Sequence, residues 1–83
     1  MHERALMRDL LARMDEAARA EGAARVTSVR VRVGPLSHFS PEHFREHFAD
    51  AARGTIAEGA SVVVASDAAG ADVVLESLEL ELP

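Results

Sequence analysis

Residues 26–33, with the sequence VTSVRVRV, decide the fold of this chain of 83 residues. The valines at positions 29, 31 and 33 alternate with polar side chains, which is the two-residue period of a strand with one buried face. Gly34 and Pro35 come next and end the strand, because proline cannot donate a hydrogen bond to a sheet. The pattern predicts a strand over residues 26–33 that packs its valines against the rest of the chain.

A helix over residues 3–21 is predicted to precede this strand. Apolar side chains recur there every three or four positions, and charged side chains occupy the other side, which is typical of an amphipathic helix. Gly22 is a suitable stop, because glycine readily adopts the left-handed conformation that ends helices. The predicted apolar stripe contains Leu6, Met7, Leu10, Leu11, Met14, Ala17 and Ala18.

A second helix is predicted over residues 41–53, after the strand. Ser40 is a candidate N-cap, and Pro41 stands at the first helical position, where its missing N–H costs nothing. Arg53 and Gly54 are suited to close the helix with a cation and a glycine. Its predicted apolar stripe consists of Phe44, Phe48 and Ala51.

Two further strands are predicted, over residues 60–66 and 73–82. The first has three consecutive valines without alternation, which indicates burial on both faces or a short edge strand. The second alternates leucines with polar residues, so its glutamates should face solvent. The turn signal around Gly70 favours an antiparallel hairpin between these two strands, and the helix at 41–53 favours a parallel pairing of the first two strands.

Together these elements predict an α+β fold in the order α-β-α-β-β, with a three-stranded mixed sheet and two helices packed on one face. Residues 1–83 are expected to form a single domain. Alanine supplies sixteen of the apolar residues, and only twenty-four are Val, Ile, Leu, Met or Phe. A core of this size often supplies only ~3–5 kcal/mol, which is consistent with a homodimer or a standing partner.

Composition excludes several classes of protein. The chain has no cysteine, which excludes disulfides, a thiol nucleophile and a cysteine-based zinc cluster. Its longest runs of Val, Ile, Leu, Met or Phe have three residues, far short of the ~20 that span a membrane, so no membrane segment is expected. A net charge of −5 without a basic stripe argues against nucleic acid as a partner. The start lacks the pattern of a secretory signal, and we expect a cytoplasmic location.

Two of the four histidines lie in a zinc-peptidase motif. His43, Glu46 and His47 match H-x-x-E-H, in which histidines one helical turn apart share a metal and the glutamate acts as base. Such peptidases need a third ligand from a large downstream region, which this short chain lacks. Around the helix, His47 lies ~60° and His43 ~100° from Phe44, so His47 should flank the core and His43 should be exposed. The motif is therefore interpreted as a chance match, and no enzyme is expected.

The remaining histidines are His38 and His2. His38 falls in the polar turn before the second helix and is interpreted as a solvent-facing loop residue. His2 stands beside the amine of Met1, and the amide nitrogens of His2 and Glu3 are close by. Up to four nitrogens in a plane suit nickel(II) or copper(II), whereas zinc prefers a tetrahedral site. Met1, His2 and Glu3 are thus a candidate site for such an ion.

The start Met1-His2-Glu3, the stretch 24–34 and the stretch 54–60 together resemble the HypA/HybF family, the nickel metallochaperones of [NiFe]-hydrogenase maturation. The resemblance implies the fold order given above. It implies nickel(II) held by His2, with the backbone nitrogens of His2 and Glu3 and sometimes the amine of Met1. It also implies delivery to a hydrogenase large-subunit precursor, together with a GTP-hydrolysing nickel chaperone.

The chain departs from this family in one region. Family members carry a zinc module on two C-x-x-C pairs between the second and third strands, and residues 66–71 contain no cysteine. We therefore expect a short turn at about residues 66–72 in place of the module, and no zinc. A second interpretation remains open, in which the protein is an adaptor module that docks on a hydrogenase or a maturation factor without carrying metal.

Overall fold

The computed structural model describes residues 2–34, 40–66 and 73–83, with the side chains of His2 and Glu3 left out. The predicted α+β class and the order α-β-α-β-β are confirmed. In the part of the chain described, neither helix is both long and apolar enough to cross a membrane. The elements are α1 (His2–Ala20), β1 (Arg25–Val33), α2 (Pro41–Ala51), β2 (Ser61–Ser66) and β3 (Val73–Glu81).

Strand β1 is the centre of a three-stranded sheet with the order β2-β1-β3. It pairs in parallel with β2, where Val29 lies opposite Val62. It pairs antiparallel with β3, where Val29 lies opposite Leu78. The predicted mixed sheet and the parallel pairing of the first two strands are confirmed.

The predicted hairpin between β2 and β3 is wrong, because these strands lie on opposite edges of the sheet. Ser66 at the end of β2 and Val73 at the start of β3 both pair with Val33, one from each side. Two strand spacings, about 10 Å, therefore separate the two ends. This order gives β1, whose valines are the most buried of the sheet, a paired neighbour on each side. The predicted turn around Gly70 lies outside the described residues.

Both helices cover one face of the sheet. Helix α1 contacts β1, β3 and α2, and α2 contacts β2. The core that they enclose is apolar throughout the described residues, and no buried polar side chain lies in it. Its buried members are Met7, Leu10, Met14, Ala18, Val26, Val29, Val31, Val33, Phe44, Phe48, Ala52 and Ala57.

Two alanines were assigned to the wrong face in the sequence-based prediction. Ala17 and Ala51 are exposed, whereas the adjacent Ala18 and Ala52 are buried. The buried stripe of α1 ends on Ala18 because it runs through positions 7, 10, 14 and 18, in steps of three and four residues. Ala52 follows the last residue of α2, and its N–H still donates to the carbonyl of Phe48 at 2.8 Å.

The predicted N-cap of α2 and the predicted stop of α1 are confirmed by their hydrogen bonds. The predicted end of α2 at Arg53 and Gly54 is two residues too late, because α2 ends at Ala51 with Ala52 as its C-cap. The Ser40 hydroxyl accepts from the N–H of His43 at 3.1 Å, as an N-cap does. Gly22 has a positive φ of 69°, and Ala23 donates to the carbonyl of Ala18 at 2.9 Å. This is the left-handed glycine stop expected at the end of α1.

The outer face of the sheet carries a charged cluster at a β-bulge. Arg30 lies opposite Ser77 and Val31 opposite Leu75, which leaves Glu76 as the extra residue of β3. One carboxylate oxygen of Glu76 accepts from Arg30 Nε at 3.3 Å, and the other pairs with Arg32. The arginines therefore lie on the solvated face, as their alternation with the valines predicted.

The edge strand β2 has one half-buried side and one exposed side. Val62 and Val64 pack against the core, whereas Val63 is 43% exposed on the outer face. Of the two interpretations of this valine run, the short edge strand is confirmed and burial on both faces is wrong.

Residues 52–60 form a series of tight turns that connects α2 to β2 and is hydrogen-bonded to the start of β1. The Thr55 hydroxyl donates to the carbonyl of Ala52 at 2.6 Å and accepts from the N–H of Ala57 at 3.1 Å. The carbonyl of Ile56 accepts from the N–H of Val26 at 2.9 Å. Since Ala57 has no exposed surface, the segment also closes one end of the core.

Replacing Phe44 by alanine should lower the free energy of unfolding by about 3–5 kcal/mol, because the ring is fully buried and a cavity remains. Leu82→Ala is the matched control, since this side chain is 62% exposed and its loss should change stability by less than about 0.5 kcal/mol. Urea denaturation followed by circular dichroism measures both. Similar losses in the two variants would contradict the assignment of the core.

Thr55→Val should cost about 1–2 kcal/mol, because it removes a hydroxyl that makes two hydrogen bonds in a partly buried turn. Thr27→Val serves as control, since that hydroxyl makes one bond, to the carbonyl of Glu79 at 3.1 Å, at an exposed site. The same denaturation experiment should give the smaller loss for Thr27→Val. A larger loss of stability for Thr27→Val would argue against a stabilising role of the two hydrogen bonds of Thr55.

Candidate functional site

An open groove of about 1000 Å³ lies between the first half of α1 and the second half of α2. A smaller depression next to it shares two of its α2 residues, His47 and Asp50. Its lining residues are Arg4, Ala5, Met7, Arg8 and Leu11 from α1, His47, Asp50 and Ala51 from α2, and Thr55 from the following turn.

The groove has an apolar base and a charged rim. Met7 is buried and Leu11 is half-buried, so the α1 side of the base continues into the core. Arg4, Arg8 and Asp50 are exposed around it. This distribution follows from the amphipathic pattern of α1, whose apolar stripe faces inward and whose arginines lie at its edge.

The amino-terminal end of α1 places the backbone of two of the predicted metal residues, His2 and Glu3, beside this groove. Helix α1 begins at His2, so the backbone of His2 and Glu3 forms its first turn, next to Arg4 and Ala5 of the groove wall. The first N–H groups of a helix have no carbonyl partner within the helix. Met1 and the side chains of His2 and Glu3 lie outside the described part of the structure.

The two histidines of α2 stack on each other. The ring centroids of His43 and His47 are 4.4 Å apart, and the ring planes differ by 7°. His43 is exposed and His47 is half-buried, as the helix geometry predicted from their positions relative to Phe44. The motif H-x-x-E-H thus does place both imidazoles on one side of α2.

A zinc-peptidase centre would need a third ligand next to these two. Among the residues that the structure describes, no three His, Cys, Asp or Glu side chains come together in a way that could hold a metal ion. The peptidase interpretation therefore gains no support from the geometry. His38, interpreted from the sequence as a loop residue, lies outside the described ranges.

Sequence reasoning missed the charged residues of the groove, above all Asp50. The spacing of His43, His47 and Asp50 is i, i+4, i+7, which places them in a stripe ~60° wide along α2. That spacing could have identified Asp50 as a neighbour of the histidines. Arg4 and Arg8 carry no such signal, because their place in the groove depends on how α1 and α2 pack.

Comparison with known families gives a match over most of the chain. The family model described as "Hydrogenase/urease nickel incorporation, metallochaperone, hypA" matches residues 1–73. Hydrogenase maturation factor HypA of Xanthobacter autotrophicus is 44% identical over 64 residues, which are 77% of this chain and 57% of that protein. The HypA of Archaeoglobus fulgidus is 38% identical over 80 residues, which are 96% of this chain and 73% of that protein.

Other relatives give the same result. The HypA of Chlorobium limicola is 39% identical over 69 residues, which are 83% of this chain and 60% of that protein. The chain thus spans about three fifths of the length of the Xanthobacter and Chlorobium proteins.

A solved structure agrees with the fold. The solution structure of the Ni metallochaperone HypA from Helicobacter pylori superimposes with a TM-score of 0.77, 16% identity and 98% of each chain covered. At this identity the likeness speaks for the fold alone, whereas the family-model match covers the sequence from residue 1 to residue 73. This chain therefore belongs to the HypA family of hydrogenase/urease nickel incorporation metallochaperones.

Proposed function

We propose that this chain carries nickel(II) for the maturation of [NiFe]-hydrogenase and does so without a zinc module. The observation that carries the proposal is the family-model match, which starts at residue 1 and so includes Met1-His2-Glu3. In this proposal the nickel ion is cargo, and the protein is an accessory factor without an enzymatic activity of its own.

The proposed ligands are the His2 imidazole, the backbone nitrogens of His2 and Glu3, and the amine of Met1. The start of α1 at His2 supports the use of backbone nitrogens. Because the first N–H groups of a helix make no intrahelical bond, a metal can replace their protons without breaking a helical hydrogen bond. Four nitrogens in one plane match the coordination that nickel(II) favours.

The charge balance at this helix end also supports the proposal. A bare divalent cation would be repelled by the positive end of the helix dipole. Two deprotonated amide nitrogens carry two negative charges, which neutralise the nickel(II) ion. The site as a whole then places no net positive charge at the start of α1.

The proposed absence of zinc rests on the sequence, since the chain has no cysteine to build a pair of C-x-x-C motifs. We assign as partners a hydrogenase large-subunit precursor and a GTP-hydrolysing nickel chaperone, and the cytoplasm as the location, in line with the family. The second candidate function is a metal-free adaptor on the same partners. It is favoured by the lack of cysteine pairs for a zinc module and by an apolar content of which sixteen residues are alanine.

Nickel titration of protein that begins at Met1 should show a site that weakens on the order of tenfold or more in His2→Ala, because an imidazole ligand is lost. Glu3→Gln is the matched control and should bind like the parent, since only the backbone nitrogen of Glu3 takes part. A short extension before Met1 should weaken the site as well. Isothermal titration calorimetry measures each affinity.

Equal nickel affinity of the parent and of His2→Ala would refute the proposed carrier. The adaptor function has its own readout, which is hydrogenase activity in cells that depend on the introduced gene. Full activity restored by His2→Ala would favour the adaptor, whereas loss of activity with retained partner binding would favour the carrier.

Nickel affinity should fall steeply as the pH is lowered from about 7.5 to about 5.5. Imidazole, amine and amide nitrogens bind metal only after losing a proton, so binding is present at the higher pH and is lost on acidification. Titrations at a series of pH values in one buffer system check this. An affinity that stays constant over that range would speak against a nitrogen-only ligand set.

A further inference from the structure

We propose that His43 and His47 form a second metal site on α2, which takes one divalent first-row ion such as nickel(II), copper(II) or zinc(II) through two imidazoles. These ions favour imidazole nitrogen, and two histidines one helical turn apart can chelate one of them. The site is separate from the proposed ligands at the amino terminus, and it does not depend on them.

The two imidazoles lie side by side on α2, with ring centroids 4.4 Å apart and ring planes that differ by 7°. The lone pair of an imidazole nitrogen lies in the ring plane, so stacked rings do not both point at one ion. To chelate an ion, the two side chains must turn about their χ angles until their nitrogens lie about 3–3.4 Å apart, as metal–nitrogen bonds of about 2.0–2.1 Å require. The spacing of one helical turn permits this without movement of the backbone.

The helix that carries the pair is held in place on its other side. Phe44 and Phe48, each next to one of the histidines in the sequence, are fully buried and stack at 6.4 Å between centroids. The N-cap at Ser40 fixes the first turn through the N–H of His43. The two histidines therefore keep their spacing before an ion arrives, which lowers the entropic cost of chelation.

Access and charge favour a cation on the solvent side of the pair. His43 is exposed, and the exposed carboxylates Glu46 and Asp50 lie on the same helix. A shallow depression of about 440 Å³ is lined by Glu46, His47 and Asp50, together with Ala49 and Arg53. Asp50 pairs with Arg53 at 3.5 Å.

The positive charges that would repel a cation lie on the groove side of His47. Arg4 and Arg8 of α1 line that groove beside His47, and both would repel an ion placed within it. The ion therefore sits at the outer edge of the pair, toward His43. Since no three ligand side chains converge within the described ranges, water completes the coordination and the ion stays exchangeable.

The test uses the full chain with His2→Ala and a short extension before Met1, so that the proposed amino-terminal site is disabled. Nickel and zinc are titrated separately by calorimetry, and imidazole NMR signals identify the ligands. We expect this parent chain with the disabled amino-terminal site to bind the ion, with the imidazole NMR signals of His43 and His47 shifting together. His47→Ala should weaken binding on the order of tenfold or more.

The matched control is the double variant Glu42→His with His43→Ala. It keeps the number of imidazoles, but residues 42 and 47 lie ~140° apart around the helix and cannot share an ion. Its affinity should therefore fall to that of the single-histidine variant, while the amide NMR spectrum shows that the fold is kept. Binding by the double variant equal to the parent, or no binding by the parent, would overturn the proposal.

The two metal proposals fail independently. The amino-terminal site is tested by comparing nickel binding of the native chain with that of His2→Ala. The α2 site is tested only in the chain whose amino-terminal site is disabled by His2→Ala and the extension. A result in which His43 and His47 do not shift on titration rejects the second site and leaves the first untouched.

Discussion

Val29 and Val31 are enclosed from three directions, and the arrangement of the other elements follows from this constraint. Each is paired with β2 on one side and with β3 on the other, and neither has any exposed surface. A strand can meet this requirement only at the centre of a sheet with one covered face. Strands β2 and β3 then become the edges, and α1 and α2 must share the same face to cover the valines.

The candidate site depends on this arrangement because it lies where the two helices meet. Helix α1 lies over β1 and β3, and α2 packs on β2, so the sheet fixes the distance between the helices. The turns that follow α2 are tied back to the start of β1 through Ile56 and Val26. The groove, the start of α1 and the histidine pair therefore sit on a scaffold that is set by the core.

Local sequence signals predicted the elements well, because each has a clear physical marker. The alternating valines of β1, the Ser40 and Pro41 start of α2 and the Gly22 stop of α1 all occur where predicted. The errors fall where the sequence gives no contrast. Ala17 and Ala18, like Ala51 and Ala52, are adjacent and chemically identical, so the pattern cannot tell which of them is buried.

Strand pairing and the groove could not be predicted in the same way. The short distance in sequence between β2 and β3 favoured a hairpin, whereas the burial of β1 between them is a property of the whole chain. The position of His43 and His47 on the same side of α2 could be predicted from 3.6 residues per turn, since both lie on one helix. Arg4 and Arg8 lie on α1 and Asp50 lies on α2. Their meeting in one groove depends on how the two helices pack, so the periodicity of either segment alone could not predict it.

The pairing of Ser66 and Val73 with the same residue, Val33, has a consequence for how the family can vary. Both ends of the connection are fixed by the sheet itself, so its length does not set the strand register. Lengthening a connection between fixed ends costs little entropy, which grows only with the logarithm of length. Evolution could therefore exchange a whole module at this position for a few residues, or the reverse, while the remaining domain keeps its architecture.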